Sequence, residues 1–139
     1  MAKQLCELKK KGGGGEFKET VLWTNSSPTS NFNAQVITLT GGNISNYDYI
    51  QIKWRFSTTT STEGNGVIVK KDDFVNMLYN AQSPRFAIGV YFTSSDKSYF
   101  RGVYYSSDTK IGFNNTYGLG DSSANNLNII PLQIIGLKK

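Results

Sequence analysis

Few side chains in this sequence could carry out chemistry. The chain contains no histidine, which excludes histidine-based catalysis and histidine-ligated metal sites. Asp72 and Asp73 are adjacent in the sequence. This placement favours a role at the N-terminus of a helix over glycosidase chemistry, because a glycosidase needs two carboxylates on opposite sides of a cleft. No Asp-rich loop shows the ligand spacing of a calcium site. We therefore expect no enzymatic activity, no cofactor and no metal.

The glycine-rich stretch and the cysteine also lack the context of a reactive site. Residues 12–15 are four glycines without the Lys-Ser/Thr ending of a phosphate-binding loop, so we interpret them as a flexible hinge. Cys6 is the one cysteine of the chain, which excludes an intrachain disulfide. A small apolar contact is the favoured role for this residue, ahead of a reactive thiol.

Charge is distributed unevenly along the chain. The formal net charge is +5, but residues 1–19 hold five Lys against three Glu, and the last two residues are both Lys. Between them, residues 20–137 hold eight basic and seven acidic groups, a net of +1. This nearly neutral body argues against nucleic acid as a partner. No apolar run approaches the roughly 18 residues of a membrane span, so we expect no membrane either.

Short runs of alternating apolar and polar residues dominate residues 16–139 and indicate many short strands. The clearest run places Ile50, Ile52 and Trp54 on one face of a strand. The pattern predicts strands at 19–24, 34–40, 47–56, 66–71, 85–93, 97–105, 109–113 and 127–137, with a long loop at 114–126. We therefore expect an all-β fold, an antiparallel β-sandwich of jelly-roll type. Its predicted core contains Trp23, Ile37, Leu39, Ile50, Ile52, Trp54, Phe56, Phe86, Ile88 and Val90.

Residues 1–15 form a separate unit in this interpretation, an N-terminal arm and glycine hinge attached to the domain at 16–139. The arm combines apolar residues with a run of lysines. We expect it to anchor the protein, with apolar contacts to a larger partner and lysines against an acidic surface. The anchoring residues would be Leu5, Cys6, Leu8, Lys9, Lys10 and Lys11.

Tyrosines are concentrated in the second half of the domain. Exposed aromatic rings stack on sugar rings and also form protein interfaces, so these residues are candidates for contact with a glycan or a protein partner. The alternative is ordinary packing on a half-buried sheet. The candidates are Tyr91, Tyr99, Tyr104, Tyr105 and Tyr117.

Three blocks of sequence carry a resemblance to a known class of domain. They are W-T-N-x-S-P-T-x-x-F-x-A-Q at 23–35, N-Y-D-Y-I at 46–50, and I-I-x-L-Q-I-I-G-L-K at 129–138. The chain resembles, over residues 19–137, the C-terminal β-domain of tail and minor structural proteins of tailed bacteriophages. The resemblance is to domains of the fibre, head-fibre or decoration type.

The resemblance implies a non-enzymatic virion structural protein, made in the cytoplasm of the bacterial host. It would be a small projecting subunit, either a head fibre or capsid decoration or a tail or baseplate component, anchored by its N-terminal arm. Its partners would be other virion structural proteins and further copies of itself, most naturally in a homotrimer. The alternative is a receptor-recognition module of a tail fibre that binds a host surface glycan.

Overall fold

The structure is a computed structural model that describes residues 16–57, 66–76, 86–92, 98–119 and 126–139. The predicted anchoring residues Leu5, Cys6, Leu8, Lys9, Lys10 and Lys11 lie outside the described residues, as does the glycine hinge. The arm therefore stays a prediction, and the domain that follows it is the subject of the description below.

Short strands account for most of the described chain, because its runs of β-branched and aromatic residues are interrupted by polar turns. Two single-turn helices accompany them, η1 at Ile44–Asn46 and α1 at Lys71–Asn76. The strands are β1 Lys18–Thr24, β2 Gln35–Thr38, β3 Tyr49–Ser57, β4 Val67–Lys70, β5 Phe86–Phe92, β6 Ser98–Ser107, β7 Lys110–Leu119 and β8 Asn128–Lys138.

The strands form two four-stranded sheets in which every neighbouring pair is antiparallel. The order is β1-β8-β3-β4 in the first sheet, sheet A, and β2-β7-β6-β5 in the second, sheet B. The sheets pack face to face, with β5 and β6 contacting β3 and β8 across the interior. The predicted antiparallel β-sandwich is confirmed, while its jelly-roll type stays a prediction.

The main core lies between the two sheets. Ile50, Ile52 and Trp54 point inward from β3, as their alternation predicts, and meet buried residues of sheet B such as Ile88 and Phe113. Burying each such side chain contributes about 1.5–3 kcal/mol, so this layer dominates the stability of the fold. Of the predicted core, Ile37, Leu39, Ile50, Ile52, Trp54 and Ile88 are buried, whereas Trp23, Phe56 and Phe86 are partly buried against it. The side chain of Val90 lies outside the described residues.

A second, smaller apolar cluster covers the outer face of sheet A. Phe17, Ile135 and Leu137 are buried there, and the rings of Phe17 and Tyr49 meet edge to face at 5.4 Å. Strand β8 therefore buries side chains on both of its faces, as a central strand covered from both sides must. This explains why its sequence is almost continuously apolar instead of alternating.

Two features of the strands differ from the sequence prediction. Strand β7 continues to Leu119, so the first part of the loop predicted at 114–126 is a strand. A proline in a strand favours a sheet edge or a bend, yet Pro131 lies in β8, which is a central strand between β1 and β3. Within the described ranges, no helix is long and apolar enough to cross a membrane.

Candidate functional site

Two bulges shape one corner of the sandwich, where β1 ends and the chain crosses to sheet B. In β1 the register with β8 shifts between Val21 and Trp23, which leaves Leu22 as the extra residue. In β8 the register with β3 shifts between Gln133 and Pro131, so Leu132 is the extra residue there. Bulges turn side chains away from the regular alternation and often border binding sites. We call the segment at 25–34, which follows β1, the corner loop.

Asn25 ties the corner loop to β8. Its backbone N–H donates to the Leu132 carbonyl and its side-chain Nδ2 donates to the Pro131 carbonyl, both at 2.8 Å. Its Oδ1 accepts the N–H of Ser27 at 2.8 Å, the Asx turn that an asparagine favours at the start of a loop. These three bonds leave the Asn25 amide committed to structure, and they hold the loop against the two bulges.

A groove lies on one side of Thr24 and Asn25, between the corner loop and the edge of sheet B. Its volume is about 280 Å³, and its walls carry hydroxyl and amide groups beside the rings of Trp23 and Phe32. None of its lining side chains is ionisable, so it offers hydrogen bonds and apolar contact but no proton transfer. This neutral groove is lined by Trp23, Thr24, Asn25, Ser26, Ser27, Asn31, Phe32, Gln35 and Ile37.

A second groove, of about 220 Å³, lies on the other side of the same two residues, on the outer face of sheet A. It contains Lys53 of β3, whose register partner on β8 is Gln133, and the Gln133 amide donates to the Thr24 hydroxyl at 3.3 Å. Arg55 follows on the same face of β3 and reaches the loop wall. This cationic groove is lined by Thr24, Asn25, Pro28, Lys53, Leu132 and Gln133.

Behind the corner loop lies a completely buried cation, Arg101 of β6. Its Nε donates to the Ile129 carbonyl at 2.8 Å, Nη1 to the Asn114 carbonyl at 2.6 Å and Nη2 to the Asn128 carbonyl at 3.3 Å. The guanidinium also lies 5.2 Å from the centre of the Phe32 ring. Burial lowers the pKa of Arg101 from its usual value to about 10, so the guanidinium keeps its charge at neutral pH.

Two of the three carbonyls around Arg101, those of Asn128 and Ile129, belong to an unusual stretch of backbone. Ile129 has φ of 51°, in the left-handed region that a β-branched residue rarely adopts, and it is fully buried. Asn128, next to it, gives its carbonyl to both Arg101 and the hydroxyl of Thr116, the latter at 2.7 Å. Arg101 therefore holds the start of β8 in a conformation that its sequence alone disfavours.

Side-chain amides extend this polar centre to the corner loop. The backbone carbonyl of Asn126 accepts the N–H of Phe32 at 3.0 Å. The side-chain Nδ2 of Asn126 donates to the Oδ1 of Asn33 at 3.1 Å and to the Oδ1 of Asn115 at 3.0 Å. Asn115 in turn accepts the N–H of Ala34 at 2.8 Å. The corner loop is thus hydrogen-bonded at both ends, to β8 through Asn25 and to β7 through Asn115, which fixes the walls of the two grooves.

The structure divides the candidate tyrosines between the two faces of sheet B. Tyr99 is buried, and Tyr105 packs inward with its ring 6.2 Å from that of Phe74, so neither forms an exposed contact surface. Tyr104 and Tyr117 lie on the outer face. The side chain of Tyr91 lies outside the described residues. The prediction of five contact tyrosines is therefore wrong for Tyr99 and Tyr105, because strand alternation points them into the core.

The outer face of sheet B is apolar around these two tyrosines, and we call it the aromatic face. Tyr117 is 59% exposed and its ring lies 5.3 Å from that of Phe100, its register partner. Tyr104 lies flat against the sheet above Gly112, where any Cβ would come within about 2 Å of the tyrosine ring. Exposed Leu119 and Val36 complete the surface.

No group of three or more His, Cys, Asp or Glu side chains that could hold a metal occurs among the described residues. The arrangement at the corner can bind polar groups on one side and an anion on the other. The described chain is a two-sheet antiparallel β-sandwich with two grooves at one corner. Comparison of the chain with protein-family models, with curated proteins and with solved structures finds no match.

Sequence reasoning did not single out Arg101, although a signal for it exists. Alternation along β6 places Arg101 on the same face as Tyr99 and Val103, both of which are buried. The alternation that buries Trp54 also predicts Lys53 and Arg55 on the opposite face of β3, where the structure has them. Their convergence on the corner loop depends on the Leu132 bulge, which no sequence pattern marks.

Proposed function

We propose that the protein is a non-enzymatic structural subunit of a bacteriophage virion, a small β-sandwich that projects from the particle and is attached through residues 1–15. The resemblance to phage tail and minor structural proteins supports this role. In the proposal the subunit sits in the virion as a homotrimer, either as a head fibre or capsid decoration or as a tail or baseplate component.

One structural observation supports the use of that resemblance: its three sequence blocks meet along β8. Asn25 of the first block bonds the Pro131 and Leu132 carbonyls of the third. In the second block, the N–H of Asp48 donates to the Leu137 carbonyl at 2.8 Å, and the Tyr47 ring covers Gly136. The three blocks therefore contact one another through β8, which supports reading them as one pattern.

Particle incorporation tests the proposal. The full chain and a chain lacking residues 1–15 would each be supplied to a phage whose own copy of the gene is deleted, and purified particles would be probed with an antibody to the sandwich. We expect only the full chain to incorporate. Circular dichroism must show that the truncated chain still folds as a β protein.

A matched variant separates the arm's chemistry from its length. Leu5→Asn with Leu8→Asn keeps the length and charge of the arm but removes its apolar contacts, and we expect incorporation to fall. Incorporation of the truncated chain at the normal level would overturn the anchoring role, and absence of the full chain from particles would overturn the virion role. Light scattering of the full chain tests the homotrimer.

The aromatic face supports a second candidate function, recognition of a host surface glycan. Tyr117 and Tyr104 present ring surface on the same face of sheet B, and flat aromatic surfaces of this kind stack on sugar rings. Phe100, beside Tyr117, and Tyr104 are four residues apart on β6, about 13 Å along the strand, so a glycan of several units could contact both.

Binding of the protein to purified host surface polysaccharide tests this second function. We expect Tyr117→Ala to weaken binding about tenfold or more. Leu119→Ala is the matched control, because Leu119 is 55% exposed on the same strand and face but has no ring. Equal effects of the two substitutions would show that general apolar contact, and not stacking, accounts for any binding.

A further inference from the structure

The cationic groove contains positive charge that the described protein does not neutralise. Lys53 and Arg55 lie two residues apart on the outward face of β3, and neither forms an ion pair with any residue that the structure describes. The register partners of these residues on β8 are Gln133 and Ile130, which bring no carboxylate to the site. Two cations without an acid on one small surface favour an anionic ligand.

Arg55 is also incompletely hydrogen-bonded. Its Nη1 reaches the Pro28 carbonyl at 3.5 Å, a long contact at the limit of a hydrogen bond, and its Nε is buried without any acceptor. A buried donor without an acceptor lowers the stability of the fold. Because this Nε is buried, the Arg55 guanidinium must turn toward the groove before a ligand oxygen can accept its hydrogen bond. The planar guanidinium fork is matched by the two oxygens of a carboxylate.

The neighbouring neutral groove indicates what the anion is attached to. The two grooves flank Thr24 and Asn25, so a ligand that passes over these two residues would contact both grooves. Their volumes, about 220 and 280 Å³, lie below the roughly 300–1,000 Å³ of drug-sized sites and suit a group near the size of one sugar ring. The neutral groove offers hydroxyls, amides and the Trp23 ring, which are the partners that a neutral sugar uses.

From this geometry we propose that the corner of the sandwich binds an acidic saccharide. The carboxylate of a uronic acid unit lies in the cationic groove against Lys53, with Arg55 next to the Pro28 wall of that groove, and the adjoining neutral sugar lies in the neutral groove beside Trp23. The site is on a different surface from the aromatic face. It stands whether or not that face binds a glycan, and whether or not the protein is a virion subunit.

Titration of the full chain with a hyaluronan tetrasaccharide, in which glucuronate alternates with a neutral sugar, tests the proposal. Binding would be followed by amide chemical shifts. We expect a Kd below about 1 mM, shifts that map to Thr24, Asn25, Lys53 and Gln133, and about tenfold weaker binding of the neutral chitin tetrasaccharide. About 1 M salt should weaken the acidic ligand and leave the neutral one unchanged.

Variants of the two cations complete the test. We expect Lys53→Gln and Arg55→Gln each to weaken the acidic saccharide about fivefold or more. Lys110→Gln, an equal charge change at an exposed position of sheet B, should stay within about twofold. Unchanged shifts elsewhere in each spectrum would show that the variant is folded.

Three outcomes would overturn the proposal. The first is equal binding of the acidic and neutral tetrasaccharides. The second is equal loss from Lys110→Gln and Lys53→Gln, which would make the effect one of net charge alone. The third is binding of inorganic phosphate, free glucuronate or a polyglutamate peptide as tightly as the tetrasaccharide, which would show a general anion site without saccharide recognition.

Discussion

Arg101 and Arg55 present the same guanidinium group in opposite states, although both belong to central strands of the same sandwich. Arg101 is completely buried, and each of its three nitrogens donates to a backbone carbonyl. Arg55 is half-buried, makes one long contact to the Pro28 carbonyl and has an Nε with no acceptor. The protein supplies acceptors around one arginine and leaves the other incomplete.

The difference separates a structural role from a binding role. A buried cation whose three nitrogens each donate to a backbone carbonyl is out of reach of a ligand, and its removal would leave three carbonyls without their charged partner. A cation with unused donors at a groove costs the folded protein some stability, and such a cost persists where function compensates it. Measurements of the free energy of unfolding for variants of the two arginines, and of the residues around them, therefore test whether the two side chains differ in role.

The largest effect is expected from Arg101→Met. The substitution keeps the apolar stem but removes all three hydrogen bonds and the restraint on the left-handed Ile129, so the free energy of unfolding should fall by about 4 kcal/mol. Denaturant unfolding measures it. The loss should be equal near pH 6 and pH 9, because both the folded pKa of about 10 and the unfolded value lie above that window. A loss under about 1 kcal/mol would show that the carbonyls need no arginine.

A second substitution at the same position shows whether charge or geometry matters. Arg101→Lys keeps a cation but not the planar fork that reaches three carbonyls, so it should recover only part of the stability that methionine loses. Full recovery would mean that positive charge alone holds the start of β8, and the structural role assigned to the guanidinium would be wrong.

An intermediate effect, about 2 kcal/mol, is expected from Asn25→Ala. The substitution removes the buried bond to the Pro131 carbonyl and the bond to the Ser27 N–H, which together hold the corner loop. Asn31→Ala is the matched control, since Asn31 is exposed on the same loop and should change stability by less than about 0.5 kcal/mol. Equal effects at the two positions would show that the loop is not fixed through Asn25.

A smaller effect, about 1 kcal/mol, is expected from Thr116→Val. Valine has nearly the shape of threonine but lacks the hydroxyl that donates to the Asn128 carbonyl at 2.7 Å. Thr38→Val, at an exposed position of β2, provides the control and should be neutral within about 0.5 kcal/mol. If Thr116→Val stabilises the protein, Arg101 alone satisfies that carbonyl.

The sandwich itself follows from sequence patterns, because burial on one face imposes a period of two. Ile50, Ile52 and Trp54 were placed in the core on that ground, and they are buried. The same rule applied to β6 separates Tyr104 from Tyr99 and Tyr105, but the candidate tyrosines were grouped by residue type and not by face. Two of the five are consequently misplaced.

The corner site could not be predicted, because it depends on departures from regular pairing. Leu22 and Leu132 are ordinary strand residues in sequence, and only the register between strands makes them bulges. The approach of Pro28 to Arg55 joins positions 27 residues apart. Polar residues in the run 114–119 indicated a loop, yet pairing with β6 makes it strand, since tertiary hydrogen bonds outweigh weak intrinsic preference.

The smallest effect, with the opposite sign, is expected from Arg55→Met. Methionine retains the apolar stem and removes a buried donor that has no acceptor, so the free energy of unfolding should stay equal or rise by up to about 1 kcal/mol. The same substitution at Arg101 should lower the free energy of unfolding by several kcal/mol, so each variant serves as the control for the other. Denaturant unfolding in the absence of ligand gives both values.

A loss of about 2 kcal/mol or more at Arg55 would mean that its single contact to Pro28 is a structural bond after all. The two arginines would then differ in degree and not in kind, and the groove would have lost the observation that marks it as incomplete.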